Sequence, residues 1–391
     1  MDGNQLLDRR LQLNYPFLIG YMSVDVHRDY YHDLSQLKYV TSIPNGKINY
    51  DLNHNIEKAV KRTTDDNDEK ISLMLKFLLD QRHRLEFLHN PPKTTFITYR
   101  RSLISVMCAS YNREPLSIVA SLFNNCIYLC SIENLPAKKN MLPNDRNAKF
   151  CAWGYKFEQY MSSDLSSLQP NIEKPVVENE EFSIYYSSQL GNHQLFYGAQ
   201  IDGMLVTRTT PGPPDPNDVD ANLAYLRNNS FVELKTNREI HSKRQEQNFK
   251  RYKLLRCWCQ CYLAGLKGLL VGYRNDEGII QRVQWFSTDD IVRYCQDAWD
   301  PQVAINYLAY FLTYVENSFK SLKATSGDDI PSKEPVTLKF DIDANQKITV
   351  SKDIHEEHVI LPSWPGLYAP LLQNGSRQTT LQLSLDLNPA F

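Results

Sequence analysis

No window of the sequence approaches the roughly 20 consecutive apolar residues of a membrane-spanning helix, so no span is expected. The opening "MDGNQLLDRR" carries charge throughout and lacks an apolar core, and it does not read as a signal peptide. None of the eight cysteines forms a C-x-x-C pair, and no Cys/His group has zinc-finger or zinc-ribbon spacing. "CWCQC" (257–261) reads as small apolar thiols on a buried helix, in keeping with a reducing compartment. No internal repeat and no basic localisation cluster stands out, so a cytoplasmic protein is expected, with the nucleus as the alternative. Charge is balanced, 43 Lys and Arg against 45 Asp and Glu, so the total carries no nucleic-acid signature. A local basic face can still hide beneath a neutral total.

What is present is an ordinary globular composition, 42% hydrophobic over 391 residues, enough for a large core. Strand and helix patterns both recur along the chain, which predicts a mixed α/β domain with a central sheet. One domain is expected over 1–391, with the last 35 or so residues irregular. Helices are predicted over 71–88, 152–163, about 238–266 and 302–323, and strand pairs around Asn124–Asn125 and Asn275–Gly278. A late hairpin is predicted in 335–352, and Ser287 or Thr288 is expected to cap a helix. "KRTTDDNDEK" (61–70) and the Pro-rich 208–220 read as loops, and "FITYRR" as a strand ending on Arg100 and Arg101.

The stretch "SFVELKTNRE" (230–239) carries the chemistry. Its apolar residues predict a strand, and residues two apart on a strand share a face. Glu233 and Lys235 therefore point one way, Val232 and Leu234 the other. A surface ion pair is the bland reading, worth little. Upstream, "AQIDG" sets Gln200 and Asp202 on one face of another short strand, with Asp202 31 positions before Glu233. If the two strands pair, Asp202 and Glu233 converge on one hard divalent cation, with Lys235 beside it. There Lys235 would orient or deprotonate water, or stabilise charge on a phosphate. That is the arrangement of PD-(D/E)-x-K nucleases. From these positions alone, solvent-facing acids on unrelated strands are somewhat the more common meaning. Two neighbours shift the balance. Residues 238–256 hold seven Lys/Arg against two Glu, which suits a polyanion, although most charge runs are solvated faces. Gln260 is a polar amide in an apolar segment and needs a partner. Glu158 sits on a predicted helix, with Gly154 one turn earlier suggesting a close approach or a helix start.

Together "TYRRSL", "WGYKFE", "AQIDG", "FVELKTNREI" and "NFKRYKLLRCWCQCYLAGLKGLLVGYRNDEG" resemble the successive motifs of the DXO-type decapping exoribonucleases. That family includes the partner protein of the nuclear 5′–3′ exoribonuclease. The likeness runs from about residue 18 to about 285, and the C-terminal segment from about 325 is less well matched. It implies two central mixed β-sheets flanked by helices, related to PD-(D/E)-x-K nucleases. It implies a metal-dependent RNA 5′-end hydrolase that removes incomplete or non-standard caps and degrades RNA 5′ to 3′. Carried over by position, Glu158, Asp202, Glu233 and the Leu234 carbonyl would hold two divalent ions, Mg²⁺ or Mn²⁺. Lys235 would assist the water, and Arg100 and Gln260 would position substrate.

Two departures stand out. The family commonly has Glu where this chain has Gln200, which keeps an oxygen for a cation or for substrate but loses a charge. Three carboxylates then face two ions, −3 against +4, with the scissile phosphate supplying the balance. Arg101 stands where the family often has Gly. RNA 5′ ends are the expected partner. A monomer is expected, ahead of a complex with a 5′–3′ exoribonuclease. Gln200 keeps open a catalytically weakened member acting as a 5′-end binding or scaffold protein, and the core motif alone would also permit DNA.

Overall fold

The computed structural model describes residues 10–62, 69–85, 94–132, 146–207, 210–326, 335–352 and 355–361. The strands, in chain order, are β1 Phe17–Val24, β2 Tyr30–Tyr31, β3 Tyr39–Val40, β4 Tyr50–Asp51, β5 Thr95–Tyr99, β6 Leu116–Phe123 and β7 Cys126–Ile132. There follow β8 Glu181–Leu190, β9 His193–Gln200, β10 Gly203–Leu205, β11 Ser230–Arg238, β12 Gly268–Arg274, β13 Ile279–Ser287, β14 Val336–Ile342 and β15 Ile348–Lys352. The helices are α1 Ser72–Asp80, α2 Arg100–Ala109, α3 Arg146–Met161, α4 Val219–Arg227, α5 Lys243–Asn248, α6 Leu255–Ala264, α7 Thr288–Tyr294 and α8 Pro301–Ser326.

Among the described residues the strands form two mixed sheets. One has nine strands in the order β15-β14-β6-β7-β5-β9-β8-β1-β2, the other six in the order β3-β10-β11-β12-β13-β4. Each is covered on both faces, as its strands' near-continuous apolar runs require. On one face of the large sheet Leu103 and Met107 of α2, Leu263 of α6 and Phe311 of α8 bury with Ile184 and Tyr197. On the other, Phe77 of α1 stacks on Tyr185 with ring centroids 3.8 Å apart. The small sheet lies between α3, whose Trp153 and Phe157 bury with Val232, Leu234 and Leu270, and α6, which packs on Leu269 and Val271. At Gly272 a Cβ would come within 2.6 Å of the Phe157 ring, so only glycine lets α3 settle there.

The hairpins form where expected. Asn124 and Asn125 both adopt positive φ, the conformation a two-residue hairpin turn demands. Ser287 opens α7 with a reciprocal capping box to Asp290. Other expectations shift. β5 stops at Tyr99, and Arg100 and Arg101 begin α2 instead of ending a strand. The helix expected over 71–88 ends at Asp80, followed by a short 3-10 turn at Arg82–Arg84; positions 86–88 lie outside the described residues. The helix expected from about 238 starts at Lys243, because β11 runs on to Arg238, and Phe249–Leu254 within it is a π-helical stretch. A Cβ on Gly154 would meet nothing within 4 Å, and α3 starts well before it, so neither close approach nor a helix start explains it. Positions 63–68, 208–209 and 362–391 of the segments read as irregular also lie outside the described residues.

Candidate active site

Gln200 and Asp202 do not share a strand: Gln200 ends β9 in the large sheet, and Asp202 lies in the two-residue link before β10 in the small one. β10 runs antiparallel to β11, Gly203 opposite Val232, which brings Asp202, just before β10, alongside Leu234 and Lys235. Asp202 Oδ2 accepts from the Leu234 N–H and from Lys235 Nζ, both at 2.8 Å. Lys235 Nζ also reaches Glu233 Oε1 at 2.7 Å and the Leu234 carbonyl at 2.9 Å. Alternation along β11 does what the sequence suggests. Val232 and Leu234 sink into the α3 side, and Glu233, 1% exposed, turns to the other. This is therefore no surface ion pair.

Glu233 is held from three directions. Gln260 on α6 donates to Oε1 at 2.5 Å, the same oxygen that Lys235 reaches, and Arg100 at the start of α2 donates to Oε2 at 3.3 Å. Arg100, 6% exposed, also donates to the Gln260 and Gln200 carbonyls, both at 2.8 Å. One guanidinium thus fixes α2, α6, the end of β9 and the buried carboxylate together, using the planar fork that a lysine lacks.

The electrostatics separate the groups. Burial alone would raise the Glu233 carboxyl, but Lys235 and Arg100 outweigh it and hold it below the usual carboxylate range. Burial and the Glu233 charge push Asp202 up despite Lys235. Burial and Asp202 push Glu158, on α3, well above its usual range. Burial works against the Lys235 ammonium, yet Asp202, Glu233 and Glu158 hold it firmly protonated. In this arrangement Lys235 is a hydrogen-bond donor and a positive charge among the acids.

The oxygens fit a hard cation. The Lys235 ammonium gathers Asp202 Oδ2, Glu233 Oε1 and the Leu234 carbonyl within 2.9 Å, so the oxygens expected around a metal already converge on one cationic centre. Glu158 shares their electrostatic field. Among the described residues no group of three or more acids, histidines or cysteines is yet drawn together as a metal would hold them.

Two cavities flank this centre. One, about 410 Å³, is lined by the carboxylates of Glu158, Asp164, Glu180, Glu181 and Asp202 against Lys38 and Lys174. The other, about 260 Å³, has Arg28, Arg62, Lys70, Arg100, Arg101 and Arg256 against Glu69 and Glu181. Gln200 and Glu181 line both. Glu181 is absent from the residues singled out in the sequence. Ser183 lies opposite Gln200 in the β8–β9 register, and Glu181, two before Ser183, shares that face. It accepts from Ser183 Oγ at 2.7 Å and from Arg28 at 3.2 Å. Alternation in "EEFSIYYSS" held this information, but only once its pairing with β9 was known.

A model of the RAI1-like PD-(D/E)XK nuclease family matches residues 14–365. The chain belongs to that family. Membership makes it a nuclease, and the match runs past position 325, where the motif likeness thinned. The decapping and exoribonuclease protein of Bos taurus is 29% identical over 356 residues, 89% of this chain and 84% of that one. The decapping and exoribonuclease protein Rai1 of Drosophila melanogaster is 28% identical over 371 residues, 92% of each chain. The crystal structure of Candida albicans Rai1 in complex with pU5-Mn²⁺ superposes with a TM-score of 0.71 at 19% identity, covering 90% of this chain and 93% of that one. The two-sheet architecture is thus that of the RAI1-like nucleases.

Proposed function

We propose that this nuclease acts on RNA 5′ ends, removing incomplete or non-standard caps and shortening the RNA from the 5′ side. The observation that carries the reading is the convergence of Asp202, Glu233, Lys235 and the Leu234 carbonyl at the edge of β11, with a cation-rich cavity beside it. The names of the curated relatives, decapping and exoribonuclease proteins, support it, and so does a relative seen with pU5 and Mn²⁺.

A divalent ion bound here would polarise water and neutralise charge on the scissile phosphate. We read two such ions, Mg²⁺ or Mn²⁺, the second held weakly because Gln200 adds no charge. Glu158, Asp202 and Glu233 supply the oxygens. Lys235, held protonated, donates to the phosphate oxygens as charge builds on them. Arg100 keeps Glu233 aimed, and Gln260 locks the opposite oxygen. Arg101 and Arg256, which line the smaller cavity, hold the phosphate-rich part of the substrate. Contacts of this kind read backbone and 2′-hydroxyls in preference to sequence. A cytoplasmic monomer, acting without a 5′–3′ exoribonuclease partner, belongs to the same proposal. Sedimentation of the purified chain tests the first part.

The test is a time course on one short RNA carrying, in turn, a monophosphate, a triphosphate, a hydroxyl, an unmethylated cap and a methylated cap, with Mg²⁺ and with Mn²⁺. Release of capped nucleotide followed by 5′ shortening is the expected result. Binding without cleavage at any end would favour a catalytically weakened 5′-end binder, the reading that Gln200 suggests. Equal competition by single-stranded DNA would point to a different substrate.

A further inference from the structure

The cationic run 238–256 does not form one solvated face. Lys250 pairs with Asp297 and Glu246, and Arg238 with Asp276. Lys253 differs. Its ammonium donates to the Thr236 carbonyl, and among the described residues no carboxylate pairs with it. Burial is the main cause pushing its pKa down; the Cys257 thiol opposes this, and the cations Lys235 and Arg274 add smaller downward pushes. Lys253 is half-buried, and partly enclosing an ammonium without an anion costs free energy, which falls when an anion arrives from outside.

Its position says where that anion would lie. β10 covers β11 only as far as Val232, and among the described residues no strand lies beyond that point on the same edge of β11. Along it stand Asp202 at the Leu234 N–H, Lys235 at the Leu234 carbonyl and Lys253 at the Thr236 carbonyl. The two carbonyls are two residues apart on one strand, about 6.6 Å. That is comparable with the step between phosphates of an extended single strand. The π-helical stretch Phe249–Leu254 widens the helix here, burying Phe249 and Leu254 while Lys253 reaches the strand edge. One ammonium proton goes to Thr236, leaving two for an acceptor.

We propose that Lys253 holds the phosphate next to the scissile one, in an RNA single strand laid along that edge of β11. The proposal rests on the functional reading above and adds a second phosphate position to it. A single-phosphate substrate would not reach Lys253, whereas any longer strand would.

The test compares Lys253→Met, which keeps the stem and removes the charge, with Lys253→Arg. Binding of 5′-phosphorylated pentauridylate is followed by fluorescence anisotropy in EDTA across a salt series. For Lys253→Met, affinity falls about tenfold and the slope of log K against log salt shrinks by about 0.7, one phosphate contact fewer. Lys253→Arg restores most of both. In Mn²⁺ the Met variant raises KM about tenfold on the pentamer with kcat within about threefold, and the defect disappears on a dinucleoside monophosphate. Its thermal midpoint stays level or rises, since a partly enclosed unpaired charge has gone. An unchanged salt slope, an equal defect on both substrates or a lowered midpoint with no Arg rescue would overturn the proposal. A parent protein that binds no RNA would overturn the functional reading and this proposal with it. A parent that binds, with Lys253→Met indistinguishable from it, overturns only this one.

Discussion

The two cavities that meet at Gln200 and Glu181 have opposite chemistry. The larger collects five carboxylates against two lysines, and the smaller six cations against two carboxylates. Neither balance is visible in a chain whose net charge is −2. The sorting is topological. Asp202 and Glu181 come from the ends of adjoining strands and Glu158 from α3, whereas Arg100 and Arg101 open α2 and Arg256 projects from α6. A phosphodiester spanning the boundary would meet cation-binding oxygens on one side and phosphate-binding cations on the other. Hydrolysis of a polyanion by a metal-assisted site needs that division.

The comparison breaks most completely on the carboxylate side. Asp202→Ala or Glu233→Gln should cut RNA hydrolysis by at least about a hundredfold, with the circular dichroism spectrum retained. Unchanged turnover in both would remove these residues from the site. Next is Arg100, which belongs to the basic cavity yet spends its donors on protein. Arg100→Ala leaves the buried Glu233 with one guanidinium fewer and two carbonyls without their donor. It should cost about 3 kcal/mol in chemical denaturation, as breaking a buried pair does. A loss below about 0.5 kcal/mol would show that the pair is solvated. On the basic side, Arg256→Ala should raise KM for a 5′-triphosphorylated RNA several-fold and flatten its salt dependence by about 0.7, leaving kcat nearly unchanged. At the boundary, Gln200→Glu should tighten Mn²⁺ binding several-fold by calorimetry, because it adds an acid to the carboxylate side.

The smallest effect is a pH trend. Burial and neighbouring acids raise Glu158 and Asp202 above their unfolded values, so at these two groups the folded metal-free protein holds more protons than the unfolded chain. Their contribution to stability is present at low pH and lost as pH rises through the raised values. Glu233 runs the other way: its depressed value contributes above the ordinary carboxylate pKa and is lost as pH falls. Mn²⁺ requires the ionised acids. The rise in thermal midpoint on adding it should therefore be larger at pH 8 than at pH 5.5, and an equal rise would contradict this assignment.

Much of this was legible before any coordinates. Alternation in "FVELK" put Glu233 and Lys235 on one face, and the hairpin turns and the Ser287 cap follow from local chemistry that tertiary packing did not override. What stayed hidden depended on partners distant in sequence. Tyr99 makes no side-chain cap hydrogen bond, so nothing local announced that Arg100 begins a helix. Glu181 became part of the site only through the register that sets Ser183 opposite Gln200. The run 238–256 looked uniform, but Lys250 finds acids on the surface while Lys253 turns in against β11. Helical periodicity could not foresee a π-helical turn.

The most direct measurement uses one capped RNA labelled with distinct fluorophores near its 5′ end and at its 3′ end, incubated with Mn²⁺ beside Asp202→Ala. The account predicts that the 5′ label leaves first in a short product while the 3′-labelled body shortens progressively, and that the variant does neither. Internal cleavage that releases both labels in long fragments, or equal activity in Asp202→Ala, would contradict it.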